Sequence, residues 1–422
     1  METRKSDDRR PRLAVVFSPL VLVLQLVEAG AGAREIIWLI DREIADVDDS
    51  MRLLKRLGTV VDVTGQSDEQ AAEVLAPYEP DGIIAFSEPQ LMRAALIGAQ
   101  LGLPVQSAET VTRLTNKGAQ REALLAAGLP IPGFRAVAAD ADATVRSEVC
   151  ATVRYPVVVK PQAGVGSRGT YHVEDADELA RMLELEQQER TGDLLVEEML
   201  RDSWPREQEP YADFVSVESI VARGRLSHMA VTGRSTLAEP YRETGHFIPS
   251  NMPPDVCAEV IEVAGRAVRA MGSDIGIFHT EIKITPDGLY VIEVNGRIGG
   301  SIPEIFGFAT ENKFSILDVA ARVALGEAVR IDELVPCPRV GYSLWAPPPV
   351  GATRLTRLDN LDAVRRVPGV QALFVNRQAG DALSWRAGWS SRLYTVYGVA
   401  DDHEGMWRAR REIKEIVVAE FA

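Results

Sequence analysis

Ile277-Phe278-His279-Thr280-Glu281-Ile282-Lys283-Ile284-Thr285-Pro286-Asp287-Gly288-Leu289-Tyr290-Val291-Ile292-Glu293-Val294-Asn295 is the stretch from which the rest of the chain is best read. Two alternating runs flank Pro286-Asp287-Gly288, a turn sequence with glycine where a left-handed residue belongs. A three-residue hairpin loop would pair Thr285 with Leu289. Counting back sets Glu281 opposite Glu293 and His279 opposite Asn295. Side chains alternate between faces, so Glu281, Lys283, Glu293 and Asn295 share one face. Two carboxylates directly across a ladder repel each other. The arrangement makes sense around a hard dication, with Asn295 as a neutral oxygen ligand. Oxygen-only ligation suits Mg²⁺ or Mn²⁺ bridging nucleotide phosphates. The other reading is an exposed sheet face neutralised by Lys283.

Upstream lies Val157-Val158-Val159-Lys160-Pro161-Gln162-Ala163-Gly164-Val165-Gly166-Ser167-Arg168-Gly169. Glycines between a strand and the next extended segment let backbone N–H groups converge on phosphate oxygens without interference from Cβ. Lys160, at the strand end, supplies a mobile charge for the same phosphates. The loop lacks the Walker spacing, and no helix opens directly after it, which argues against a P-loop and a dinucleotide fingerprint. The same glycines could also simply make a turn. Leu195-Val196-Glu197-Glu198-Met199-Leu200 reads as a strand ending in a polar-apolar hinge for an adenine edge, or as a strand end with solvated acids.

The chain has 422 residues, 46% of them hydrophobic and 25% charged, enough for several domains with sizeable cores. A net charge of −15 argues against nucleic acid or an anionic membrane as main partner. Three scattered cysteines, Cys150, Cys257 and Cys337, fit neither a disulfide framework nor a metal site, so a reducing cytoplasm is expected. The apolar run from Leu13 to Val27 follows Arg9-Arg10-Pro11-Arg12 and has some features of a signal peptide. Acidic residues before it, with Pro19 and Gln25 inside it, favour instead a buried strand at Leu13–Phe17 and a helix starting at Ser18-Pro19. Strands and helices alternate from there, with Glu35–Ile40 and Gly82–Phe86 as strands and Gln90–Leu101 as a helix. This predicts an open parallel α/β sheet in residues 1–112. Further on, helices are expected at Gly118–Ala127, Val256–Ala270 and near Glu404–Val418.

Taken together, Lys117 before a helix, Lys160 with its glycine loop, the Glu197 hinge and the Glu281…Glu293-Val294-Asn295 hairpin resemble the ATP-grasp superfamily in order and spacing. The resemblance covers about residues 10–325. It implies a multidomain α/β and α+β fold: an N-terminal open parallel α/β domain (1–112), a lid (113–197), a central ATP- and metal-binding sheet domain (198–330) and a C-terminal α+β domain (331–422). It also implies that ATP contacts Lys117, Lys160, Gly164, Gly166, Ser167, Gly169, Glu197, Glu198, Met199, Leu200 and Lys283. Two Mg²⁺ or Mn²⁺ ions would lie on Glu281, Glu293 and Asn295. A polar insert, Arg201 to Tyr211, stands where many members carry a short Gly-x-Glu, so the ribose ligand is open.

Closer is the similarity to bacterial L-amino acid ligases, carried by Asp213…Glu218, Glu243-Thr244-Gly245-His246, His279-Thr280-Glu281 and Arg297. It implies an ADP-forming ligase that joins a carboxylate to an amine through an acyl phosphate, with amino acids or analogues as substrates. Glu243 and His246 would sit at the amino-acid end and Arg297 at the activated carboxyl group. Ser301, four residues after Arg297, would border a pocket with room for a side chain larger than alanine's. A biotin-carboxylase-like enzyme, a ligase loading a carrier protein, and a non-catalytic ATP-binding module are the alternatives. No nucleic-acid or membrane partner is expected; a homodimer is one assembly left open.

Overall fold

The computed structural model of the chain describes residues 9–19, 34–164, 166, 168–189, 192–202, 211–239 and 242–422. The fold is mixed α/β, with one four-stranded parallel sheet and, among the described residues, antiparallel sheets of four, eight and two strands. The helix expected after Ser18-Pro19 falls outside the described residues.

The first sheet has four parallel strands in the order Thr59–Asp62, Glu35–Ile40, Arg12–Val16, Gly82–Ile84. Its central strands are apolar on both faces because both are covered. Leu13, Val15 and Trp38 pack into one core, and Ala14, Val16 and Ile37 into another. Residues Leu13–Val16 are thus a buried strand core.

A small antiparallel sheet follows, in the order Phe134–Val137, Leu194–Glu198, Val157–Pro161, Tyr171–Val173. The helices Ala143–Thr152 and Ala176–Glu189 share its core through Val149, Leu179 and Leu183.

The third sheet has eight strands, antiparallel throughout: Gly288–Asn295, Gly276–Thr285, Phe214–Ala222, Arg225–Arg234, Gly245–Ile248, Val340–Trp345, Tyr394–Ala400 and Val370–Val375. Strands from both sides of position 331 pair within it, so the C-terminal strands extend the sheet that carries the acidic hairpin. The terminal helix covers His403–Ile416 and stops where the β-branched run Ile416-Val417-Val418 begins. Val418–Phe421 is a strand paired with Leu355–Asp359, not the end of the helix as expected. Among the described residues no helix is long and apolar enough to cross a membrane.

The hairpin itself is tighter than expected. Thr285 pairs with Gly288, not Leu289, so the loop is the two residues Pro286-Asp287. A bulge at Ile292 then absorbs one residue, since Ile282 pairs with Val291 and Glu281 with Glu293. The two errors in the expected register cancel, and the facing pairs Glu281/Glu293 and His279/Asn295 stand.

The helix Ile302–Ala309 lies directly on the strand Val340–Trp345 because position 341 is glycine. A Cβ there would come within 1.9 Å of the Ile305 carbonyl oxygen. That oxygen is backbone and cannot swing aside. Gly341→Ala should therefore cost about 2–3 kcal/mol through overpacking, measured as an earlier urea transition. An unshifted midpoint would mean that the gap between helix and strand relaxes freely.

Candidate active site

The acidic hairpin ends the large sheet, so Gly288–Asn295 is an edge strand with backbone groups turned outward. Unpaired edges need partners. Side chains of the helix Lys117–Ala126 supply them. The Gln120 amide donates to Val294 O at 2.9 Å and accepts from Val294 N–H at 2.8 Å. Arg121, fully buried, donates to Val291 O and Ile292 O at 3.2 and 2.7 Å, on either side of the bulge. Lys117, one turn away, reaches Glu293 at 2.8 Å and Gly164 O at 2.9 Å. Burial acts against the charge on Lys117, but Glu293 outweighs it and raises the pKa. Burial also raises the Glu293 carboxyl, and Lys117 more than reverses that, so Glu293 titrates below its ordinary value.

Arg121 also reaches the small sheet. Its Nε lies 2.5 Å from Glu197, whose other oxygen is 2.6 Å from the Lys160 ammonium. Burial pushes the Glu197 carboxyl up; Arg121 and Lys160 outweigh it and hold the group at about 2. Lys160 is lowered by burial, with Glu197 opposing and Arg121 and Lys117 adding to the fall. Glu197 is thus a clamp for Lys160. Glu198, Met199 and Leu200, with Val158, Phe214 and Ile292, wall a cavity of about 230 Å³. Lys117, Lys160, Lys283, Gly164, Gly166, Glu281 and Glu293 also line it. Lys283 is held by Asp202 at 2.6 Å and Asp213 at 2.7 Å, so it does not neutralise the acidic pair. Gly169 N–H points at Arg386 O, 3.4 Å away. Ser167 lies outside the described residues.

A second cavity of about 400 Å³ opens beside the first. The two share four lining residues: Gly166, Glu243, Glu281 and Arg297. Glu243 lies 3.0 Å from Arg234 and 2.9 Å from His246 Nε2. Burial opposes its charge, but His246 and Arg234 hold the carboxyl well below the usual range. His246 Nδ1 is 3.2 Å from Gly300 O. Burial and Arg234 push this imidazole down, and Glu243 opposes; the neutral ring donates to one of its two acceptors at a time. Arg297 donates to Asn295 Oδ1 at 3.2 Å and to Ile298 O at 3.1 Å. The Ser301 hydroxyl, on a left-handed residue that starts the helix Ile302–Ala309, is 3.0 Å from Tyr397 Oη at the wall.

Residues 153–304 match the family model of an ATP-grasp domain. They form one. The uncharacterized protein y4rH of Sinorhizobium fredii is 26% identical over 333 residues, covering 76% of this chain and 64% of that protein. The L-arginine-specific L-amino acid ligase of Bacillus subtilis is 25% identical over 233 residues, 54% of each chain. The chain thus spans less than two thirds of the length of these curated relatives. The crystal structure of an L-amino acid ligase from Bacillus licheniformis superposes with a TM-score of 0.77, covering 99% of this chain and 100% of that one; at 21% identity, this shows a shared fold.

Asn295, expected as a neutral oxygen ligand, lies opposite His279 on the acidic hairpin. It is buried, donates to His279 O at 3.3 Å, accepts from Arg297 and lines neither cavity. Two residues escaped the sequence reading. Arg234, buried on the strand before Glu243, contacts Glu243 and His279 and lies 3.9 Å from Glu281. A charged residue at an inward strand position was its one signal. Glu88 is a buried carboxyl whose Oε2 has no hydrogen-bond partner. Burial and Glu293 push it up to about 7, against Arg297 and Lys117. It follows the C-terminal end of a parallel strand, where open α/β sheets place ligands, and so was legible in principle.

The clamp makes a sign-specific prediction. The folded pKa of Glu197 (about 2) lies below its ordinary 4.5. The ionised carboxylate therefore stabilises the fold fully above about pH 4.5, and that contribution disappears as pH falls toward 2. Glu197→Gln strands Arg121 and Lys160 without a counter-charge and should cost about 3–5 kcal/mol at pH 7. Denaturant titrations of both proteins should converge below pH 4.5. A pH-independent gap would remove the ionised clamp from the account.

Proposed function

We propose that the chain is an ADP-forming ligase that joins the carboxylate of one amino-acid-like substrate to the amine of another. One observation carries this reading: a nucleotide-sized chamber and a separate chamber meet at Glu243, Glu281 and Arg297. Such a junction suits a group activated from one side and captured from the other.

In the first chamber Met199, Leu200, Val158 and Ile292 give an adenine ring apolar walls. Lys117, Lys160, Lys283 and the backbone N–H groups of Gly164 and Gly166 are the donors for the phosphates. Glu281 and Glu293 fit a divalent ion of the Mg²⁺ type. Among the described residues no three acidic, histidine or cysteine side chains converge on a metal. A pair of carboxylates opening on a phosphate chamber is what Mg²⁺ commonly uses when phosphates and water complete its shell. When bound, such an ion would neutralise charge on the phosphates.

The substrate carboxylate oxygen attacks the γ-phosphorus of ATP; the bond to the bridging oxygen breaks and ADP leaves. The amine nitrogen then attacks the acyl carbon, inorganic phosphate leaves and the nitrogen loses a proton. Arg297 faces the oxygen that becomes negative in that step, and Lys160 the transferring phosphoryl group. Glu243, held ionised beside His246, suits a substrate ammonium; His246, low in pKa, suits the proton transfer. Glu88 is a second acid on the same chamber, able to receive an ammonium.

Amino acids tested pairwise for phosphate release, with mass spectrometry of products, examine the reading directly. ADP and an amide are expected. Pyrophosphate release would overturn the acyl-phosphate route, and substrate-independent or absent hydrolysis the ligase. Lys160→Ala should lower kcat by about 10²-fold or more. Glu293→Gln should abolish turnover. Because Lys117 loses its partner, its metal-free melting temperature should fall. Wild-type turnover at ordinary Mg²⁺ would sink the metal role of Glu293.

A further inference from the structure

Joining two amino acids consumes one carboxylate and leaves another free. The second chamber must hold that remaining anion while the first is activated. Its cations are few. Arg297 sits at the junction with the nucleotide chamber, and Arg234 is committed to Glu243 and His279. Arg392 is different. It comes from the C-terminal part of the large sheet, just before the strand Tyr394–Ala400, and lines only the second chamber.

Every contact of the Arg392 side chain fixes its plane and leaves its charge unanswered. The guanidinium lies over the Trp389 ring, 4.4 Å from its centroid. Nε donates to Thr395 Oγ1 at 2.7 Å and Nη1 to Trp389 O at 3.2 Å. Among the described residues no carboxylate lies within ion-pair distance of it. Arg377, another cation, acts against its charge; among the described residues the Arg377 side chain bonds only to the backbone oxygens of Asn376 and Ser390. In a chain of net charge −15, Arg392 lines this cavity with no acidic partner among the described residues, and its guanidinium is a ready receptor for an anion. A flat guanidinium with an edge to spare suits a carboxylate. Trp345, Phe374 and Tyr397 on the surrounding wall lower the local dielectric and strengthen the contact.

We propose that Arg392 holds the carboxylate that is not activated, most directly the α-carboxylate of the amine substrate. The assignment rests on the ligase reading above. A side-chain carboxylate offers the same chemistry, and the two sources are separable.

Wild-type kcat/KM for leucine as amine substrate is compared with that for leucinamide, and glutamate with glutamine. If the α-carboxylate is the ligand, leucine should exceed leucinamide by about 10- to 100-fold, the range for one charge-assisted hydrogen bond. Arg392→Gln should collapse this ratio toward one, and Arg392→Lys should retain part of it. If glutamate over glutamine is the ratio that collapses instead, the anion is on the side chain. Equal use of acid and amide by the wild type, or discrimination that survives in Arg392→Gln, overturns the proposal. Should Arg392→Gln fail to fold, the wild-type ratios and Arg392→Lys still decide. Calorimetric titration of leucine and leucinamide, with ADP present, separates the two levels of argument. Carboxylate-dependent binding lost in Arg392→Gln, without ligation of any pair, keeps the anion site and removes the ligase. Ligation indifferent to the free carboxylate does the reverse.

Discussion

The buried carboxylate of Glu197, shared between Arg121 and Lys160, is the constraint on which the site depends. One guanidinium satisfies the outward carbonyls of a bulged edge strand and, at the same time, the carboxylate that holds the phosphate-facing lysine. The small sheet and the acidic hairpin are thereby fixed to the same helix. Removing charges from water is costly, and isolated buried ions do not persist. Here three charges sit within hydrogen-bond reach, so the cluster is tolerable only as a set. The lysine's position is therefore set by two neighbours that line the same cavity, one of which is tied in turn to the edge strand.

Around that anchor the molecule sorts charge by chamber. The nucleotide side is rich in lysine, each one held by an acid: Lys117 by Glu293, Lys160 by Glu197, Lys283 by Asp202 and Asp213. Net charge near the phosphates is thus kept small until a polyanion enters. The other chamber has acids beside the junction and an uncompensated arginine among aromatic rings. A zwitterion bound as proposed would meet complementary charge at both of its ends there.

Local pattern revealed the hairpin, the glycine loop and the hinge, because alternation and turn residues are written in consecutive positions. It revealed the facing carboxylates through two compensating errors, since neither a bulge at Ile292 nor a two-residue turn has a mark in composition. What stayed hidden was long-range. Nothing near Arg121 in sequence announces that it will meet Glu197, and the span from residue 121 to residue 197 separates the partners. Arg392 and Trp389 enter the chamber only because the C-terminal strands continue the same sheet, a consequence of pairing between Gly245–Ile248 and Val340–Trp345. Asn295 shows how a contact two residues away adds to register. The hairpin register sets it opposite His279, and only the structure shows that Arg297 two residues later donates to its oxygen.

Gly166 rests against Trp389 so closely that a Cβ would come within 1.8 Å of the indole, and its carbonyl accepts the Trp389 N–H at 3.2 Å. The indole that floors the arginine thus also touches the loop over the nucleotide chamber. A methyl group at position 166 would act as a wedge between two parts of the chain that lie far apart in sequence. Natural variation at 166 and at 389 should therefore be correlated: a bulkier loop residue demands a smaller ring opposite it, and a smaller ring loosens the bed of Arg392. Changing acceptor preference by redesigning the C-terminal wall would in that way also alter how the nucleotide is covered.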